Sequence, residues 1–267
     1  MIKKIVLICS VITLSTAMRA QQIKVPVGTK FQLLSTVNTT VAISSMGQDM
    51  EITSSGKIVQ EFAVNTISAN GYSLLFSVKK ISGGTSVMGQ EQNFDSDDST
   101  MRNLPGMDQV LNMLNKQEEI KVENGIMIGE IKSLKNIPGI SNNSSSDNFT
   151  KLFLSIPESK MKEGSRWADS IVNENIHSVN QYTITHITTE QVEIDVITDS
   201  KISTTVSQGG IDVKTDMKGQ TKSIRIYNLS KRILVSEKST SEMTGTAEAN
   251  GMSTPMNIKV IGSSLVK

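Results

Sequence analysis

Val192-Glu193-Ile194-Asp195-Val196 alternates apolar and acidic residues one by one. In an extended chain this sends Val192, Ile194 and Val196 to one face and both acids to the other. Working outward, Tyr182–Ile187, Ser223–Tyr227 and Ile258–Val260 read similarly, as do Ile58–Ile67 and Tyr72–Ile81 less regularly. From Phe31 onward Ser, Thr, Val and Ile dominate. One dry and one wet face is the pattern of an antiparallel sheet. Turn signals fall at Met46-Gly47-Gln48, Ser55-Gly56, Asn70-Gly71, Gly83-Gly84, Asn124-Gly125, Gly209-Gly210 and Asn250-Gly251. Asn-Gly tolerates the positive φ of a two-residue turn, so the chain is expected to run as a meander of long hairpins.

Two segments change period. Met107, Val110, Leu111 and Leu114 fall at i, i+3, i+4 and i+7, with Pro105 suited to a first helical turn. Phe149, Leu152, Phe153 and Ile156 repeat the spacing between a cap at Ser146 or Asp147 and the helix-ending Pro157. The expected fold is mainly β (β-rich α+β): a large antiparallel sheet of long hairpins with two short helices on one face. A hairpin is expected within Glu118–Lys132, and the polar stretch Ser141–Asp147 reads as a linker. Gly28-Thr29-Lys30-Phe31 and Gly164-Ser165-Arg166-Trp167 share the order glycine, hydroxyl, base, aromatic. The body therefore reads either as two related halves, 21–140 and 141–267, or as one domain over 21–267.

Met1-Ile2-Lys3-Lys4 and the apolar run Ile5–Ala17 read as a secretory leader over 1–20, the run falling short of the ~20 residues that span a bilayer. Cleavage fits after Ala17 or after Ala20, which would leave Gln21 first. Ile8 before Cys9 does not suit lipoprotein processing. The chain has 27 basic and 26 acidic residues, and losing Lys3, Lys4 and Arg19 with the leader leaves 24 against 26. That balance provides no electrostatic footprint for nucleic acid. Cys9 is the single cysteine, so the mature body would hold no disulfide, thiol nucleophile or cysteine metal site.

Chemistry is sparse. His177 and His186 are the two histidines, and neither belongs to a Gly-x-Ser-x-Gly elbow or a His-Glu-x-x-His pair. His186 is read as a partly buried sheet residue on the face of Tyr182 and Ile184. Gly47–Lys57 is four residues too long for a phosphate loop, with Ile58 where a hydroxyl is needed. Asp95–Ser99 offers oxygen ligands, but counted as a calcium loop it places Thr100 and Gly106 where glycine and glutamate belong, and it reads as a strand-to-helix connection. No catalytic residue, cofactor or metal site is assigned. Fourteen methionines supply pliable apolar surface, and those at 46, 88 and 252 adjoin turn glycines. The single tryptophan, Trp167, reads as a core anchor.

Asn93-Phe94-Asp95-Ser96, the Gln117–Lys132 hairpin, Ile156-Pro157 through Trp167, and the run from Tyr227-Asn228-Leu229 to Val260 together resemble an uncharacterised family of exported proteins of the Bacteroidetes type. That family often has an acid where Arg166 stands. The resemblance implies export and carries no activity. A curved sheet with helices on its concave face is also similar to periplasmic lipoprotein-carrier proteins, which hold lipid chains between sheet and helix.

These readings point to an exported binding protein of the periplasm or cell exterior, associated with the envelope and without catalysis. An apolar small molecule or lipid would lie between sheet and helices, lined by Met107, Leu111, Leu114, Phe149, Phe153 and Trp167. The alternatives are an interaction module whose partner is an envelope protein, and a hydrolase using a carboxylate pair. The intact mass of protein from its native envelope is expected to place the first residue at Gln21 or Met18; a diacylglyceryl group on Cys9 would overturn the leader reading.

Overall fold

The computed structural model describes residues 24–45, 48–69, 71–100, 107–123, 126–129, 131, 149, 151–154, 156, 160–172, 174–208 and 211–267. The leader and linker expectations lie outside these residues. Twelve described strands form one antiparallel sheet. They are β1 (Lys30–Ser45), β2 (Gln48–Ile67), β3 (Gly71–Val87), β4 (Gln90–Asp95), β5 (Glu118–Glu123), β6 (Ile126–Ile128), β7 (Arg166–Val172), β8 (Ile176–Ile187), β9 (Gln191–Gln208), β10 (Ile211–Asn228), β11 (Ile233–Ala249) and β12 (Met252–Val266). Their order is β6-β5-β3-β2-β1-β12-β11-β10-β9-β8-β7, with β4 paired on β3. β1 pairs with β12, so both halves of the chain enter one sheet. Each strand expected from alternation is found.

Directly paired residues share a face. Following the register from Phe31↔Phe62 across the sheet places Leu33, Phe62, Phe76, Ile194 and Tyr227 on one side, here called the inner face. The acids Glu193 and Asp195 fall on the outer side, as the opening pentapeptide requires. The core occupies the lower half of the inner face, where Phe62 meets Phe31, Phe76 and Phe149 at ring separations of 5.2, 5.4 and 5.8 Å. Tyr72 and Phe31 both meet Phe153. Thus five of the six phenylalanines lie in this one cluster.

The cover over that core is short. The helix α1 (Met107–Met113) ends at Asn115, whose φ of 60° caps it and whose amide donates to Val78 O on β3 at 2.8 Å. Met113 is buried, while Val110 and Leu114 pack against the core half-buried. The second expected helix stops short of its stripe: Phe149 is helical, but the described residues that follow are not. Leu152 N donates to Phe149 O, but the chain then extends, with Phe153 bridged to Ile233 and reciprocal bonds of 2.8 Å joining Leu152 and Leu154 to β11. The stripe is buried as expected, and pairing with a strand end supplies the backbone partners that a further helical turn would have supplied.

Two expected turns are also corrected. Ser55-Gly56 and Gly83-Gly84 lie inside β2 and β3, where Gly56 pairs with Gly83 and neither has positive φ. Glycine is needed there for close approach: a Cβ on Gly83 would stand 3.1 Å from the Phe94 ring. Asn250-Gly251 is the expected turn, with φ of 51° and 75°. His186 is corrected too. A register shift after Ile184 turns it to the outer side opposite Glu193, where it is exposed and its Nδ1 lies 3.1 Å from Glu163 Oε1.

The repeated tetrapeptides adopt one geometry. Gly28 (φ 86°) donates to Val64 O, and Val64 N donates to Thr29 O; Gly164 (φ 78°) donates to Ile184 O, and Ile184 N to Ser165 O. Positive φ requires glycine at both positions. Each motif then sets an aromatic onto the next strand, Phe31 on Phe62 and Trp167 on Tyr182, the latter rings 5.0 Å apart and nearly parallel. No helix among the described residues is long and apolar enough to cross a membrane.

Phe62→Ala is expected to lower stability by about 3–5 kcal/mol, because it empties the centre of the aromatic cluster. Urea unfolding followed by circular dichroism measures this; a midpoint equal to the parent's would show that the cluster is not the stabilising core.

Candidate ligand-binding face

Above the aromatic cluster the inner face continues for several residues on every long strand without a described segment packed over it. Its rows follow from the register. Val41, Ile258, Met243 and Gly219 form one row, continued to Ile52 on β2. Ile43, Met256, Gly245, Met217 and Ile202 form the next. These side chains are mostly half-buried, while Thr40, Lys218, Glu242 and Lys259 on the outer side carry the polar surface. No aromatic residue stands in either row.

Methionine and glycine interlock here. A Cβ on Gly245 would come within 2.7 Å of Met217 Sδ, and one on Gly219 within 2.8 Å of Met243 Cγ. Each thioether therefore lies across the bare backbone of the neighbouring strand. This gives a smooth, polarizable surface that can re-pack. Near the upper ends of β8 to β11 an open depression of 480 Å3 is bounded by Ile176, Ile202, Met217 and Gly245 and by the adjoining Lys201 and Asp216.

Between this surface and the core runs a polar belt. Ser35, Ser264, Glu237 and Arg225 share one row, and Ser239 and Ser223 lie in the row above. Glu237 is buried, with its Oε2 2.5 Å from Lys151 Nζ and its Oε1 2.9 Å from Arg225 Nε. Burial pushes the Glu237 carboxyl up, but the Lys151 and Arg225 cations outweigh that and hold it below the usual carboxylate range. Lys151 is fixed from its backbone as well, since the Tyr227 hydroxyl donates to its carbonyl at 2.9 Å. Burial pushes that hydroxyl up to about 12.

Of the six residues expected to line a ligand space, five have described side chains, and three of these meet in or against the aromatic cluster. Phe149 and Phe153 are buried in the aromatic cluster, and Leu114 packs half-buried against it. Leu111 is half-buried on α1, and the Met107 side chain lies outside the described residues. Trp167 stands half-buried at the far edge of the sheet, stacked on Tyr182. Beneath the covering segment the rings of Phe62 and Phe76 pack directly against Phe149, at 5.8 and 5.4 Å. The upper rows were not singled out from sequence, although Gly219, Gly245 and Gly262, all in phase with inward-facing residues, were a readable signal.

No protein-family model and no curated protein matches the chain. Among solved structures it is similar to lipovitellin, in a structure concerned with lipid–protein interactions in lipovitellin, at a TM-score of 0.58 and 11% identity over 91% of this chain. The match covers 25% of the lipovitellin chain, so this chain spans about a quarter of that length. Pseudomonas aeruginosa OccK5 (TM-score 0.30, 8% identity, 89% of this chain, 98% of that one) and a mutant Rh. blastica porin (0.24, 8%, 89%, 100%) also match, below the score of a shared fold. The shared fold with lipovitellin is the large open antiparallel sheet.

Because the folded carboxyl of Glu237 lies below its unfolded value, its contribution is full above pH ~4.3 and is lost as pH falls through the folded value. Glu237→Gln is expected to cost about 3–5 kcal/mol at pH 7. Urea midpoints should converge with the parent's as the pH is lowered below 4; an equal gap at both pH values would show that the carboxylate charge is not what the two cations hold.

Proposed function

We propose that this protein is an exported, non-catalytic binding protein that holds an apolar ligand, the acyl chain of a lipid, against the upper inner face of its sheet. The observation that carries this reading is the division of one dry face into a filled, aromatic lower half and an aliphatic, methionine-rich upper half with no cover among the described residues. Contiguous half-buried apolar surface with no described segment over it supports a binding site, since soluble proteins seldom leave such surface without a cover. Its lack of aromatic anchors suits a flexible chain better than a protein partner, whose interfaces centre on Tyr, Trp and Arg. The leader supports export, and the fold likeness to lipovitellin, whose structure concerns lipid–protein interactions, supports a lipid.

The ligand is placed above the belt because the region beneath the covering segments is already filled. The stretch of β10 from Ser223, in the row above the belt, up to Met217 spans six residue steps, about 20 Å at ~3.4 Å per residue. One leaflet's hydrocarbon, half of ~30 Å, is about 15 Å deep, so a single acyl chain fits along it.

Protein purified gently from its own envelope should carry lipid detectable by extraction and mass spectrometry, and should take up fatty acid. Met243→Glu places a charge in the middle of the surface and is expected to weaken uptake at least about tenfold. Lys222→Glu, exposed on the outer side and away from the depression, should not. Finding no bound lipid and no uptake of fatty acid or phospholipid would eliminate this reading in favour of a module that docks an envelope protein.

A further inference from the structure

The belt holds more positive charge than its own carboxylate neutralises. Glu237 divides its two oxygens between Lys151 and Arg225, so two cations share one anion. Among the described residues the other acids on the inner face are distant. Asp169 stands on β7, three strands or about 14 Å from β10 at ~4.8 Å per strand, bonded to Asn180 and to the Tyr182 hydroxyl. Glu118 is on β5, at the opposite side of the sheet. A surplus cation in partly desolvated surroundings is costly unless something pairs with it.

The geometry leaves room for that partner. The Lys151 and Arg225 side chains keep 16% and 20% of their surface open, against 6% for Glu237. Arg225 uses Nε on Glu237, and its planar fork matches the paired oxygens of a carboxylate or phosphate. Ser223 and Ser239 stand in the row immediately above, supplying hydroxyl donors between the cations and the apolar rows.

We infer that Lys151, Arg225 and the serine belt form an anion subsite that receives the carboxylate or phosphate head of a single-chain amphiphile whose tail lies along the Met/Gly rows. This rests on the lipid-holding reading above and specifies the head group. Glu237 then has the role of fixing both cations in position while leaving one positive charge for the ligand.

Trp167, on β7 three strands from Arg225 and stacked on Tyr182, reports binding by its fluorescence, with calorimetry as a second readout. The probes are palmitate, hexadecanol, dodecyl phosphate and inorganic phosphate. The parent protein is expected to bind palmitate at least about tenfold tighter than hexadecanol, the range of one charge-assisted hydrogen bond. Dodecyl phosphate should bind and inorganic phosphate should bind much more weakly. Lys151→Met should abolish the preference for palmitate over hexadecanol, and Lys151→Arg should restore the preference. Equal binding of palmitate and hexadecanol by the parent, or a preference that survives in both Lys151→Met and Arg225→Gln, overturns the subsite alone. Inorganic phosphate binding as tightly as dodecyl phosphate overturns the head-group assignment. Binding of none of the four probes overturns the lipid-holding reading and the subsite together.

Discussion

A sheet whose strands run up to 20 residues has one dry face far longer than the described segments that cover it. The rest of the structure follows from that mismatch. α1 is seven residues long, and the extended segment around Phe153 adds one bridge to β11. Together they cover the lower rows, and the aromatic side chains are concentrated there. Burying five phenylalanines under so small a cover places much of the hydrophobic stabilisation at one end of the sheet. The upper rows rely on the backbone ladder and on side chains that lie flat on their neighbours.

The belt is the seam between those two regimes. A buried carboxylate held by two cations is expensive to assemble and confers little net stability by itself, because desolvation offsets much of the attraction. Its placement is therefore informative. Lys151 comes from the covering segment while Arg225 and Glu237 come from adjacent strands, so the ion cluster ties the cover to the sheet at the border of the open surface. The Tyr227 hydroxyl on the Lys151 carbonyl fixes the same junction from the backbone. A subsite here would be rigid on one side and pliable on the other, which suits a ligand with a defined head and a flexible tail.

The lipovitellin likeness agrees with this division without adding chemistry to it. At 11% identity it speaks for the arrangement of strands alone. The proposed lipid binding rests instead on residues that this chain places on the sheet, above all Met217, Met243, Gly219 and Gly245.

Alternation by itself determined the strands, their dry and wet faces and the antiparallel class, because a period of two is a local property that each pentapeptide such as Val192–Val196 carries whole. The paired motifs at Gly28 and Gly164 were likewise legible as four-residue signals, and both are built alike. What depends on distant partners was not legible. Gly56 and Gly83 read as turns because glycine permits positive φ, whereas their use is to face one another across two strands beneath Phe94. His186 was assigned to the inner face by counting in twos, and one irregularity after Ile184 reversed it. Phe149 to Ile156 shows helical spacing, yet Ile233 offers a strand partner 80 residues beyond Phe153 and the chain extends to meet it. The candidate site belongs to the same class. Lys151, Arg225 and Glu237 are unremarkable charges in the sequence, and Met217 and Gly245 are 28 residues apart; only the register of β10 against β11, which long-range pairing sets, brings each group together.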